Sequence, residues 1–203
     1  MNRSMTRKHR TLLTLLTAVL TATAAPMVAP GTAEATTGGR ACLFLDKEGA
    51  RIAGRTYGHV AWAIRDPKNT NHWIWGATEG YKGKLHIAAG DYNGSWIKGG
   101  TWDGLRRSIK RDGRHRAGYY DAYRCINTAS GDLKAAQRTY NNMKDNGYDI
   151  GFNNCLTKSI AIFRKYSPSL SNKHLPDGRG VPPRNYFATT LDHARGWEKA
   201  RTY

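Results

Sequence analysis

Two apolar runs joined by a polar turn constrain this chain more than any other feature. Gly58 to Ile64 reads GHVAWAI, His72 to Thr78 reads HWIWGAT, and Pro67, Asn69 and Asn71 lie between them. Aromatic and β-branched residues favour extended chain, and Pro and Asn favour turns, so this stretch predicts an antiparallel hairpin turning over Asp66 to Asn71.

Further elements follow from pattern. Ala41 to Leu45 and the Tyr-rich Tyr119 to Asn127 read as strands, and Leu85 to Ala88 as a shorter one. Thr101 to Arg111 predicts a short helix with Leu105 and Ile109 on one side. Ser130 is placed to cap a clearer helix, with Asp132 in its first turn. Leu133, Ala136, Tyr140 and Met143 then recur at helical spacing before Asn146-Gly147. After the extended YDIGF, Cys155 to Tyr166 predicts another helix, and Arg184 to Gly196 a last one. Strands come first and helices later, which predicts an α+β domain: an antiparallel sheet with helices packed on it.

The N-terminus predicts export. Arg3, Arg7, Lys8 and Arg10 precede the apolar Thr11 to Ala25, which is shorter than the roughly 20 residues of a membrane-spanning helix. Small residues follow, and Ala33-Glu34-Ala35 fits a cleavage site, with Ala22-Thr23-Ala24 as an earlier alternative. Residues 1–35 are thus expected to be a secretory signal peptide, and residues 36–203 one secreted domain without a later membrane span, expected to be monomeric. The leader holds four basic residues and one acid, so the formal charge of +17 becomes +14 in the remainder. Such a surface attracts polyanions and leaves the reaction open.

Three cysteines remain after the leader: Cys42, Cys125 and Cys155. Outside the cytoplasm two can pair and one is left over. Sequence leaves the pairing open. The strand-like settings of Cys42 (ACLFL) and Cys125 (AYRCINT) favour those two, with Cys155 as the free thiol.

The chemistry concentrates in two places. In Asn153-Asn154-Cys155-Leu156-Thr157, Cys155 opens a helix, where free backbone N–H groups and the dipole favour a thiolate. The same N–H groups, with Asn154 in support, could receive an oxyanion. A thiol nucleophile needs an imidazole to take and return its proton. Of the seven histidines, His9 falls in the leader, His115 in a basic run, and His174 and His193 near loop ends. His59 alone opens a strong apolar strand. If Ile64 faces Ile74 across the hairpin, His59 faces Glu79 on the same side of the sheet, while one step of slippage brings Thr78 instead. His72 would lie roughly 23 Å away, beside the turn. Glu79 is therefore the group expected to orient the imidazole.

A His-bearing strand in a hairpin, followed far downstream by Asn-Cys at a helix start, resembles the circularly permuted branch of the NlpC-type papain-like thiol hydrolases. Lecithin:retinol acyltransferase-like proteins belong to that branch. The resemblance extends over about Cys42 to Gly196 and is carried by GHVAW and FNNCLT. It implies a permuted papain-like architecture with the order His59, Glu79, Cys155. It also implies thiolate attack on an amide, peptide, ester or thioester through an acyl-enzyme. Cell-wall peptides or lipid-linked acyl groups would be the substrates. Relatives often carry a His or another polar group in the third position after a shorter turn, and the basic, Gly-rich segment 81–116 reads as an insertion. Trp62, Trp73, Trp75 and Trp102 are candidates to line a substrate groove.

Other classes find little support. The chain has no phosphate-cradling glycine loop, no G-x-S-x-G and no His or Cys pair at metal spacing, so no cofactor or metal is expected. A zinc site from His59, His72 and His86 would have to be assembled by the fold. The alternative function is that of a secreted cationic protein binding an anionic cell-wall polymer or nucleic acid. It would use Arg106, Arg107, Lys110 and Arg111 in the run ending at Arg116, interleaved with Trp96 and Trp102.

Overall fold

The computed structural model describes residues 38–111 and 120–202, with backbone alone at Lys110 and Arg111. The expected leader and the distal end of the basic run, His115 and Arg116 included, lie outside the described residues. The strands are β1 (Gly39–Asp46), β2 (Arg51–Ile52), β3 (Arg55–Thr56), β4 (His59–Arg65), β5 (Trp73–Thr78), β6 (His86–Ile87), β7 (Ser95–Gly100), β8 (Ala122–Thr128), β9 (Tyr148–Asp149) and β10 (Arg201–Thr202). The helices are α1 (Trp102–Arg111), α2 (Leu133–Met143), α3 (Cys155–Tyr166), α4 (Pro183–Asn185) and α5 (Leu191–His193), with a π-helical turn at Tyr186–Thr190 joining the last two. The fold is α+β.

Six strands form one antiparallel sheet in the order β10-β8-β1-β4-β5-β7. Ile64 and Ile74 are Cα partners across β4 and β5, as are Trp62 and Gly76. β4 is buried from His59 to Ile64 because both sheet faces are covered. Val60, Trp62 and Ile64 point to the face under α2 and α3, where they meet Tyr140, Leu156, Ile160 and Phe163. Ala61 and Ala63 point to the other face, with Trp73, Trp75 and the Leu105 and Ile109 side chains of α1. Burial of this apolar area is the main stabilising term, at about 25 cal/mol per Å².

A disulfide joins Cys42 to Cys125, which are direct partners on β1 and β8, and Cys155 is a free buried cysteine. Two local expectations are corrected. Asp132, not Ser130, caps α2: its Oδ1 accepts from Ala135 N at 2.9 Å. The carbonyl of Ser130 instead accepts the Thr128 hydroxyl, and the Asp132 N–H donates to Tyr166 O, so the chain turns two residues later. Over its described part, segment 81–116 contributes β6, the edge strand β7 and α1, which packs on the sheet. Trp62, Trp73 and Trp75 are core residues rather than groove residues, and Trp102 packs against Trp73 at 4.6 Å between ring centroids. No helix among the described residues is long and apolar enough to cross a membrane.

Candidate functional site

The hairpin register sets the site. With β4 and β5 paired about Ile64 and Ile74, His59 and Glu79 come together just beyond the end of the ladder. His59 Nε2 lies 3.0 Å from Glu79 Oε2. That is ion-pair distance, although the ring N–H is not aligned on the oxygen as a good hydrogen bond requires. Glu79 Oε1 accepts from Trp96 Nε1 at 2.6 Å, so β7 fixes the carboxylate from its other side. Asp46, the Cα partner of His59 on β1, completes a row of three strands with one titratable side chain each.

Close packing holds the imidazole. A Cβ at Gly49 would sit 2.5 Å from His59 Cβ, so only glycine leaves room for the ring there. Gly58 has φ 80°, a left-handed conformation, and a Cβ there would meet the Arg184 backbone nitrogen at 3.0 Å. The chain therefore enters β4 through a bend that places His59 at the sheet end.

Cys155 approaches from the other sheet face, at the start of α3. Asn154 is the N-cap: its Oδ1 accepts from Leu156 N at 3.0 Å and Thr157 N at 3.1 Å, and its own N–H donates to Thr157 Oγ1. Its Nδ2 donates to Ile150 O at 2.7 Å. Asp149 shapes the preceding turn by accepting from Gly151 N and Phe152 N, both at 3.0 Å. This corrects the expectation of several free amides at the helix start. Asn154 Nδ2 commits one of its two N–H groups to Ile150 O, and among the described residues the backbone N–H of Cys155 has no protein acceptor at this helix start.

The electrostatics tie the two segments together. Burial would lower the His59 value, but negative charge at Glu79 and then at Cys155, together with a side-chain hydrogen bond to the sulfur, hold it well above the usual imidazole range. Burial pushes the Asp46 carboxyl up to about 6, against the lowering influence of the Glu48 N–H and the His59 charge. Burial also raises the Tyr148 phenol, followed by the charges of Cys155 and Glu79, so its hydroxyl keeps its proton beside the sulfur.

His59, Glu79, Trp96, Tyr120 and Tyr148 line a cavity of about 970 Å³. Cys155 is 3% exposed and is not itself part of that lining. Tyr148 was not foreseen as a site residue, and Trp96 was foreseen only beside the basic run of the alternative reading. Tyr148 sits in the short YDIGF stretch, whose only sequence signal is its nearness to Asn-Asn-Cys, and Trp96 belongs to an edge strand without clear alternation.

The remaining candidates lie elsewhere. Arg106 and Arg107 are exposed on α1, and the side chains of Lys110 and Arg111 lie outside the described residues. His86 is exposed and 3.7 Å from Asp149, and His72 is 4.0 Å from Asp66, so His59, His72 and His86 are not gathered. Among the described residues no group of three His, Cys, Asp or Glu side chains is placed to hold a metal. No family model, curated protein or solved structure matches the chain.

Proposed function

We propose that this chain is an exported cysteine hydrolase or acyltransferase acting on an amide, peptide or ester bond. The carrying observation is that one imidazole, from a distant strand, interacts with a carboxylate and with the single free sulfur. The chain order His59, Glu79, Cys155 is that of the permuted NlpC-type enzymes the motifs resemble. The predicted leader and the Cys42–Cys125 bridge both suit a compartment outside the cytoplasm. Cell-wall peptides and acyl groups are the substrates this reading favours.

In the reaction, the Cys155 thiolate forms a bond to the carbonyl carbon and the carbonyl π pair moves onto oxygen. The Cys155 N–H and the Tyr148 hydroxyl are the donors assigned to that oxyanion. Collapse expels the amine or alcohol, which takes its proton from the His59 imidazolium, and leaves a thioester. Water, or an acceptor alcohol or amine, then gives its proton to His59 and bonds to the same carbon. The sulfur departs as thiolate. Glu79 keeps the imidazole oriented and stabilises its charge. The carbonyl reaches the sulfur from the His59–Tyr148 end of the cavity.

The test is alkylation by iodoacetamide at mildly acidic pH. Fast, selective modification of Cys155, lost in His59→Ala, is expected. A thiol that reacts only after unfolding overturns the proposal.

A further inference from the structure

The cavity beside His59 is unevenly charged. Arg51, Lys82, Lys84 and Lys98 line it, against one carboxylate, Glu79, which is held by His59 and Trp96. Arg51 is offset by Glu48 at 3.1 Å in an exposed pair. Among the described residues, neither Lys82 nor Lys84 pairs with an acidic side chain. The surplus is positive.

Two of the ammonium groups are held rather than loose. Lys82 Nζ lies 5.2 Å from the Tyr81 ring centroid and Lys98 Nζ 5.4 Å from that of Trp96, and Lys98 also donates to Ser108 Oγ at 3.2 Å. Both rings belong to the cavity wall. The backbone bears a cost at this wall as well. Lys82 has φ 56° and Ala50 φ 49°, two of the three left-handed non-glycine residues among those described, and both line the cavity. Strain of this kind persists where the surroundings over-determine a conformation, often at ligand sites. Tyr81 packs edge-on against Tyr92 at 5.2 Å, so apolar surface accompanies the charge.

We propose that this cavity is an anion subsite, so that the acyl substrate carries a carboxylate close to the bond that is cut. The inference rests on the Cys155–His59 reading and names its substrate class. Cations held on low-dielectric walls focus their field into the cavity and raise the local concentration of an anion. Neutral amides and esters of the same shape gain nothing from them.

Two alkylating agents of nearly equal shape read the field directly. Iodoacetate is an anion and iodoacetamide is neutral; each forms a carbon–sulfur bond at Cys155 as iodide leaves with the bonding pair. At low salt, Lys82→Gln/Lys84→Gln is expected to slow the iodoacetate reaction by about threefold or more. It leaves the iodoacetamide rate, which also reports an intact fold, unchanged. Lys134→Gln/Arg138→Gln removes two exposed charges from α2 and should leave the ratio of rates as it was. Adding 0.5 M salt to the unaltered protein should reproduce the effect of the cavity variant, a concentration chosen to bring the screening length to about 4 Å. A ratio untouched in the cavity variant, or lowered equally by the α2 variant, overturns the subsite alone. Resistance of native Cys155 to both reagents overturns the thiol chemistry and the subsite with it.

Discussion

At the residue scale, the behaviour of His59 under titration separates two roles. Its folded value is held above the ordinary imidazole range by the Glu79 and Cys155 charges, so the imidazolium form is favoured to higher pH than in a free imidazole. The proposed hydrolysis needs that proton for the leaving group and is expected to fall as pH rises through the folded His59 value. Alkylation of the thiolate needs no such proton and should not fall. Glu79→Gln removes the larger of the two charges that raise His59, so the alkaline limb of hydrolysis moves toward neutral pH and the rate drops about tenfold or more. A pH–rate profile on a thioester substrate checks both points. The titration of Asp46 bears on stability. Its carboxyl is raised from 3.8 to about 6, so between those values the folded chain holds a proton that the unfolded chain has released. Stability then falls as pH rises from about 4 to about 6. Asp46→Asn should lack that slope in urea titrations across the interval.

At the element scale, the start of α3 is a structure with little slack. Asn154 spends every polar atom: Oδ1 on two amides, Nδ2 on Ile150 O, and its backbone N–H on Thr157. Asn154→Ala should cost about 1–2 kcal/mol in denaturant unfolding, a typical cap loss, and should slow alkylation of Cys155 because the helix start shifts. Asn154→Asp retains the acceptor but loses the donor to Ile150, and should fall between the two. The far end of α3 is pinned as well. The Tyr166 hydroxyl donates to Arg65 O and accepts from Arg40 N, tying the helix to the strands that carry His59. The placement of Cys155 and His59 relative to one another thus depends on two helix ends as much as on the hairpin.

At the scale of the whole molecule, the disulfide spans 83 residues of sequence and links the central strand β1 to β8. Chain-entropy arguments assign a loop of that length about 4–5 kcal/mol, and engineered removals commonly cost about 2–5 kcal/mol. Cys42→Ala/Cys125→Ala is therefore expected to unfold at markedly lower denaturant concentration while keeping the free thiol of Cys155. Equal midpoints for the two proteins would contradict this. Because the bridge lies on the α1 face, its loss should loosen the packing of Leu105 and Ile109 before that of α3. Hydrogen exchange resolves the order.

Much of this was legible in the chain. The hairpin register follows from a period-two ladder on either side of a polar turn, so pairing about Ile64 and Ile74 already brought His59 opposite Glu79. The sulfur pairing was favoured, without being fixed, by two strand-like settings against one helix start. Local pattern suffices for the hairpin because neighbours in sequence remain neighbours in space. What tertiary structure alone decided was the rest of the site. Trp96 on β7 holds the Glu79 carboxylate, Asp46 on β1 lies across from His59, and Tyr148 on β9 lines the cavity beside them, and none of these strands announces its partner. The taking of the α3 amides by Asn154 depends on backbone torsions that no residue type dictates. The charged cavity depends on four cations from three separate segments sharing one cavity. Long-range burial and packing set these distances, and a linear pattern carries no measure of them.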